Sequence, residues 1–307
     1  MVRRFLGTIA FVLIAAGCSS STTAPPPAAP QMLYVGNNTT GTITEYPLTA
    51  NGNAAPTITI TGLLNIPYGL AVDSARSLYV SQGGTIEVFA AGASGAAAPI
   101  RTITGLTQPS GLFIDGSGNL WESDFTNNVV NEFAPGANGA AVPLKTINVA
   151  FGGIAGAAYV ALDSMGNIYV SGQNSKNVLV YAPSATGNAT PIHTISGALT
   201  TFPTGSPYGL SIDSANNLYV VDFTQKKVDV FAFGADGNVA PTRSFTAAAF
   251  GTVYNAPLDG AGNAYVDDVT NSTVSVFPAG SSGTVVPTQI ITGAATGLGA
   301  PWGEAIH

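Results

Sequence analysis

Short runs of alternating apolar and polar residues, separated by compact polar turns, recur along most of the chain. The clearest lies at residues 207–231, PYGLSIDSANNLYVVDFTQKKVDVF. Residues 209–212 read as one strand, 213–217 as a polar turn and 218–221 as a second strand. A polar loop at 222–227 leads to a third strand at 228–231, and a fourth lies at 242–246 after a glycine and a proline.

The third strand can be followed through the whole chain by its closing aromatic: Tyr46, Phe89, Phe133, Tyr181, Phe231 and Phe277. Six residues after each comes a glycine (Gly52, Gly95, Gly139, Gly187, Gly237, Gly283), and ten after each a proline (Pro56, Pro99, Pro143, Pro191, Pro241, Pro287). The glycine suits a positive-φ turn position. The proline suits the opening of the last strand, where a missing N–H does least harm. Four antiparallel strands repeated at a period in the forties predict an all-β chain folded as a six-bladed β-propeller. The ordered part begins inside a blade, Leu33-Tyr34-Val35 matching Leu218-Tyr219-Val220, and its missing first strand returns at residues 301–307. The C-terminal strand is therefore expected to join the N-terminal blade and close the ring.

Two recurrent polar positions have structural explanations. The fourth strand carries Arg101, Lys145, His193 or Arg243 at its second position, where charge protects a blade's outer edge. His193 is thereby set aside as a catalytic candidate. The first strand ends in Asp73, Asp115, Asp163, Asp213 or Asp259, each before a turn that its carboxylate can cap. No Asp-x-Asp-x-Asp-Gly loop accompanies them, so turn chemistry is preferred to calcium binding.

The first residues read as a targeting segment. Arg3 and Arg4 precede an apolar stretch at 5–16 that is too short to span a bilayer. It ends in Ile14-Ala15-Ala16-Gly17-Cys18, which resembles the lipobox of bacterial lipoproteins, with Ala15 where leucine is commoner. The resemblance implies a signal peptide at 1–17, a diacylglyceryl group on Cys18, and export to a membrane surface. Residues 18–31 then form a Pro/Ser/Thr/Ala-rich tether, and 32–307 the propeller. Cys18 is the single cysteine, which excludes an intramolecular disulfide. Without Arg3 and Arg4, seven basic residues face 16 acidic ones, a formal charge of −9. With no basic stripe, nucleic acid is excluded as an expected partner. At 8% charged and 46% hydrophobic residues, the fold must rest on packed sheets.

The order P-x-G-L-x-[VI]-D, then N-[LI]-Y-V, then V-x-V-F resembles the NHL-repeat β-propellers from about residue 33 to the end. The resemblance implies a six-bladed ring. It also implies a function drawn from sensor ectodomains, protein-interaction platforms or metal-dependent lyases. The similar gluconolactonase-like propellers hold calcium in the channel with Glu, Asn and Asp, a ligand set that cannot be mapped here residue by residue.

The candidate binding positions come from the repeat. The residue before the first-strand glycine position is Tyr68, Tyr208, Tyr254 or Trp302 in four copies, and these rings are expected to crowd one mouth of the channel. Asp124, Asp222 and Asp268 leave the second strand on the same side. Rings with carboxylates and amides around them suit a protein, peptide or glycan ligand, while rings alone equally suit a plug of core side chains. Two carboxylates break the pattern. Glu304 stands where Leu70, Leu112 and Leu210 stand, and Glu122 where Val80, Val170 and Val220 stand. Each is either an ionisable group at a packed position, available as acid, base or ligand, or a sign of local register change or exposure. With only His193 and His307, a zinc site or a Ser-His-Asp triad has no histidine set to use. No catalytic residue, metal ligand or cofactor is assigned. The expectation is a monomeric, membrane-anchored, non-enzymatic binding scaffold, with a metal-dependent lactonase-like hydrolase or lyase using channel carboxylates as the alternative.

Overall fold

The fold is known from a computed structural model, which describes residues 30–63 and 66–307. The expected signal peptide, the lipidated Cys18 and the tether up to residue 29 lie outside the described residues. The described chain forms six four-stranded antiparallel blades in a ring, and all but blade 1 run outward from a central channel in chain order. Blade 5 comprises Pro207–Ile212, Leu218–Asp222, Lys227–Phe231 and Arg243–Thr246. Blades 2, 3 and 4 begin at Pro67–Val72, Pro109–Ile114 and Ala157–Leu162. Blade 1 is built from both chain ends: Pro301–Ile306 pairs antiparallel with Met32–Asn37, setting Val35 opposite Glu304. The ring closes as the repeat predicts.

The hydrophobic core is divided into six clusters, one per junction between neighbouring blades. Each contains one of the recurrent aromatics. Phe231 of blade 5, for example, lies with Tyr159, Tyr169 and Val180 of blade 4. These six rings are 0–1% exposed, and burial of each is worth roughly 1.5–3 kcal/mol. The glycine six residues later has φ between 59° and 74° in every copy, a region costly for residues with a Cβ. That turn lets it bridge, in parallel, to the preceding blade's outermost strand. Gly237 meets Ile195, and its N–H donates to the Thr194 carbonyl at 2.8 Å. Aromatic and glycine therefore fasten the same junction, one by packing and one by hydrogen bonds.

The five first-strand aspartates cap their turns. Asp213 Oδ1 accepts the N–H groups of Ala215 and Asn217 at 2.9 and 2.8 Å, and the other four repeat the arrangement. The basic residues of the fourth strand correct the sequence-based expectation. Arg101, Lys145 and Arg243 do not stand guard on a free edge but fold back over the blade, while His193 faces the Asp236 carboxylate at 3.8 Å. Arg101 donates to the Tyr79 hydroxyl at 2.8 Å, and Lys145 reaches Glu132 at 2.9 Å and the Trp121 ring at 5.3 Å. The reason is that the second strand carries an aromatic at the facing position in every blade, whose ring a cation can cover.

Blade 6 departs from the others. Its regular strands are Ala264–Asp268, Thr273–Phe277 and Gln289–Ile291. The innermost position is taken by residues 253–259, held by a bridge from Leu258 to Ala264 and by donation from Tyr265 N–H to the Pro257 carbonyl at 3.0 Å. Pro257 has no N–H to give, so a regular ladder cannot form there.

Candidate functional site

The channel is lined by the six innermost segments, which approach closely because most carry glycine at their third position. A Cβ on Gly69 would lie 2.0 Å from the Ser110 carbonyl oxygen of the next blade, and one on Gly209 would lie 2.4 Å from that of Tyr254. The first strand bulges at this glycine; in blades 2, 3 and 4 a serine of the second strand satisfies the freed amide, and in blade 5 the Tyr254 carbonyl of the next blade does so. Ser81 Oγ accepts from Gly69 N–H at 2.8 Å and donates to the Ser110 carbonyl of the next blade at 2.7 Å. Ser171 likewise accepts from Tyr159 N–H and donates to the Tyr208 carbonyl.

At the end of the channel where the first strands begin, the four recurrent rings come together. Trp302 stacks on Tyr254 at 4.1 Å with 14° between planes, and Phe223 stacks on the other side of the group at 5.2 Å from Tyr254. Tyr68 meets Trp302 edge-on at 5.8 Å, and Tyr208 meets Tyr254 at 5.0 Å. The Trp302 indole N–H donates to the Tyr208 hydroxyl at 3.3 Å. Together with Gln108, Ser110, Phe125 and Gln173 they line a cavity of about 240 Å³. Tyr208 is buried beneath the others, while Tyr68, Tyr254 and Trp302 remain partly open. No charged side chain lines this mouth.

Asp124, Asp222 and Asp268 are not at the mouth. Each is 0–1% exposed and occupied with backbone amides. Asp124 accepts from Thr107, Gln108, Thr126 and Asn127 N–H groups, which joins its own hairpin loop to the loop entering the blade. Asp222 accepts from Ser206 and Gln225, and Asp268 from Gly251 and Asn271. All three fasten loops, since a buried carboxylate is held by the amides it satisfies, and Asp268 also lines a separate cavity of about 460 Å³ beside Phe250 and Asn271.

The pattern-breaking glutamates show neither register change nor exposure. Glu122 pairs in register with Leu112 and Asn131 and is fully buried. Asn131 Nδ2 donates to its Oε1 at 2.6 Å, and burial pushes the carboxyl up to about 8 despite that bond. Glu304 is 1% exposed, and neither of its carboxylate oxygens has a hydrogen-bond partner. Burial first, and then the Asp267 carboxylate, hold it well above the usual carboxylate range. Spacing alone does not single out Asp267, although the repeat carries the signal: the position is Ser81, Ser123 and Ser171 in other blades. Its Oδ1 does the serine's work, accepting from Tyr254 and Asn255 N–H at 2.6 and 3.0 Å, and its Oδ2 is left without a partner. Burial raises its pKa against those two bonds.

Asn255 and Tyr159 replace glycine at the third position of blades 6 and 4. Asn255 Nδ2 donates to the Tyr159 hydroxyl at 3.0 Å and to the Glu304 carbonyl at 3.2 Å, tying three blades together beneath the aromatic mouth. Among the described residues no group of three or more His, Cys, Asp and Glu side chains is placed to hold a metal ion.

The fold and channel define a six-bladed β-propeller with an aromatic mouth above a polar layer. No family model matches the chain, and no curated protein does. Solved structures do match in fold. A protein of unknown function from Bacteroides caccae superposes with a TM-score of 0.66 at 12% identity, over 91% of this chain and 99% of its own. A chain of a nidogen/laminin complex gives 0.66 at 17% identity, over 90% and 98%. Virginiamycin B lyase from Staphylococcus aureus gives 0.55 at 11% identity, over 82% and 87%. At such identities the likeness is one of architecture.

Proposed function

We propose that this chain is an exported, lipid-anchored member of the NHL-like propellers that binds a protein segment at its aromatic mouth without catalysing a reaction. The observation that carries the reading is the cavity formed by Tyr68, Tyr208, Tyr254 and Trp302, each from a different blade. Partly open rings give a ligand large apolar contact area, and the Gln108 and Gln173 amides can orient a peptide backbone. Cys18 in its lipobox-like setting supports the anchor, and the nidogen/laminin likeness supports a protein partner.

The test is a Tyr68→Ala and Trp302→Ala pair, assayed against proteins and cell-wall glycans captured from the outer surface of the source cells. Loss of a captured protein with an unchanged circular dichroism spectrum supports the reading. Loss of stability with capture intact returns the rings to the core, and capture of a glycan alone replaces the ligand class. A Cys18→Ala protein that still partitions fully with membranes would remove the anchor. The second reading, a metal-dependent hydrolase or lyase, has the unpartnered oxygens of Glu304 and Asp267 in its favour. Stoichiometric, tightly held calcium or zinc in purified protein would put it first.

A further inference from the structure

The two ends of the channel differ in chemistry. The first strands run in the same direction around the ring, so their later residues line the end opposite the aromatic mouth. There they surround a funnel of about 230 Å³. Leu70, Leu112, Leu210, Leu258 and Ile306 are among its lining residues, and polar and apolar atoms share its wall about equally. Glu304 is the one charged side chain in that lining.

The corresponding residues of the other blades are Leu70, Leu112, Val160, Leu210 and Ala256, all apolar. A carboxyl group among them with both oxygens unpartnered costs stability, because a buried polar group without a hydrogen bond loses its hydration and gains nothing in return. No Lys, Arg or His lies in the funnel lining to compensate it. A leucine would serve the fold better, so the group is explained by something that enters the funnel.

We propose that the funnel binds a small protonated amine with a hydrocarbon body. Its ammonium group donates to the free oxygens of Glu304, and its chain lies along Leu70, Leu112, Leu210 and Ile306. An ammonium group brings the donors and the positive charge that the site lacks. A hard metal cation fits less well, since calcium takes six to eight oxygen ligands. The side chains in and beside the funnel offer the two oxygens of Glu304, Oδ2 of Asp267 and the Tyr159 and Ser211 hydroxyls, fewer than six. The volume falls below the roughly 300–1,000 Å³ of drug-sized sites, so the ligand is small.

The experiment is calorimetric titration and thermal melting of the purified protein with n-hexylammonium, n-hexanol, hexanoate and calcium chloride as separate probes. The expected result is saturable binding of hexylammonium, with hexanol and hexanoate weaker by at least about tenfold. The variant Glu304→Leu, which restores the residue of the regular blades, should stay folded and lose the amine response. Tyr68→Ala, at the opposite mouth, should keep it, so this inference stands or falls separately from the proposed peptide site. Equal responses to hexanol and hexylammonium, an amine response that survives Glu304→Leu, or no response to hexylammonium would overturn the proposal. Stoichiometric calcium binding that is lost in Glu304→Leu and that excludes the amine would also overturn it, in favour of a metal site.

Discussion

Blades 5 and 6 are consecutive copies of one repeat, and they agree at the rim and differ at the channel. At the rim, Phe231 and Phe277 are both fully buried in a junction, and Gly237 and Gly283 both turn with φ near 70°. At the channel, blade 5 has a continuous first strand, bulged at Gly209, and Val221 in its second strand. Blade 6 has an irregular segment with Asn255 and Pro257, and Asp267 where Val221 stands. The strand that comes after blade 6 in the ring adds Glu304. The rim residues hold the junctions, so each copy needs them. The channel residues are free to vary as long as the amide at each bulge is satisfied, and it is there that locally unfavourable groups collect. Such departures from a consistent pattern are where a binding role is best sought.

The largest expected effect comes from removing what both blades depend on, ring closure. Deleting residues 301–307 strips Met32–Asn37 of a partner and opens the junctions on either side of blade 1. The loss should approach the whole stability of the domain, on the order of 5–15 kcal/mol, seen as a missing cooperative transition in thermal melts. An unchanged midpoint would refute closure by this strand.

Next come the rim rings. Phe231→Ala and Phe277→Ala should each cost about 3–5 kcal/mol, and by similar amounts. A clear inequality in denaturant unfolding would break the equivalence of the two rims. Smaller again is the exchange of channel residues. Gly209→Asn, which copies blade 6 into blade 5, places a Cβ 2.4 Å from the Tyr254 carbonyl oxygen and should cost about 1–3 kcal/mol. If it proves neutral, the close approach of the inner strands is not what selects glycine there.

At a fixed neutral pH the last effect has no separate signature, and it is visible only as a pH dependence. Asp267 and Glu304 have folded-state pKa values raised above their unfolded values, so the folded state holds protons that the unfolded state releases. Their penalty is absent below about pH 4 and grows as pH rises toward the folded values. Asp267→Ser keeps the acceptor for Tyr254 and Asn255 N–H and removes one of these groups. Its stability relative to the parent should therefore improve as pH rises above about 4, where the unfolded carboxyl ionises and the buried one holds its proton. A constant difference across that range would show that Asp267 is ionised in the folded protein at acid pH.

The blade count, the closing strand, the junction aromatics and the turn-capping aspartates were all legible in the sequence, because each recurs at a fixed spacing and serves a local need. The convergence of Tyr68, Tyr208, Tyr254 and Trp302 was legible for the same reason. Three features were not. Asp124, Asp222 and Asp268 looked available because spacing gives the end of a strand but not which amides meet a carboxylate there. Glu304 and Glu122 stood out as departures, but their burial depends on blades far away in the chain. Asp267 was hidden because serine and aspartate both look ordinary near a turn. Its meaning comes from the bulge of the neighbouring strand, a tertiary feature with no spacing of its own.

The pairing of Val35 with Glu304 also sets an order of events in time. During synthesis or export Met32–Asn37 emerges before the other strands of the ring, and its inner neighbour emerges after them. Contacts so far apart in the chain are slow to form, because the intervening loop must close before they bring any gain. Blade 1 therefore waits, with one strand edge unpaired, until the rest of the ring stands beside it. Its Thr42–Pro47 and Ile58–Ile60 strands can shelter the outer side meanwhile. The inner edge stays open until residues 301–306 arrive, and the window for misassembly between copies closes with them.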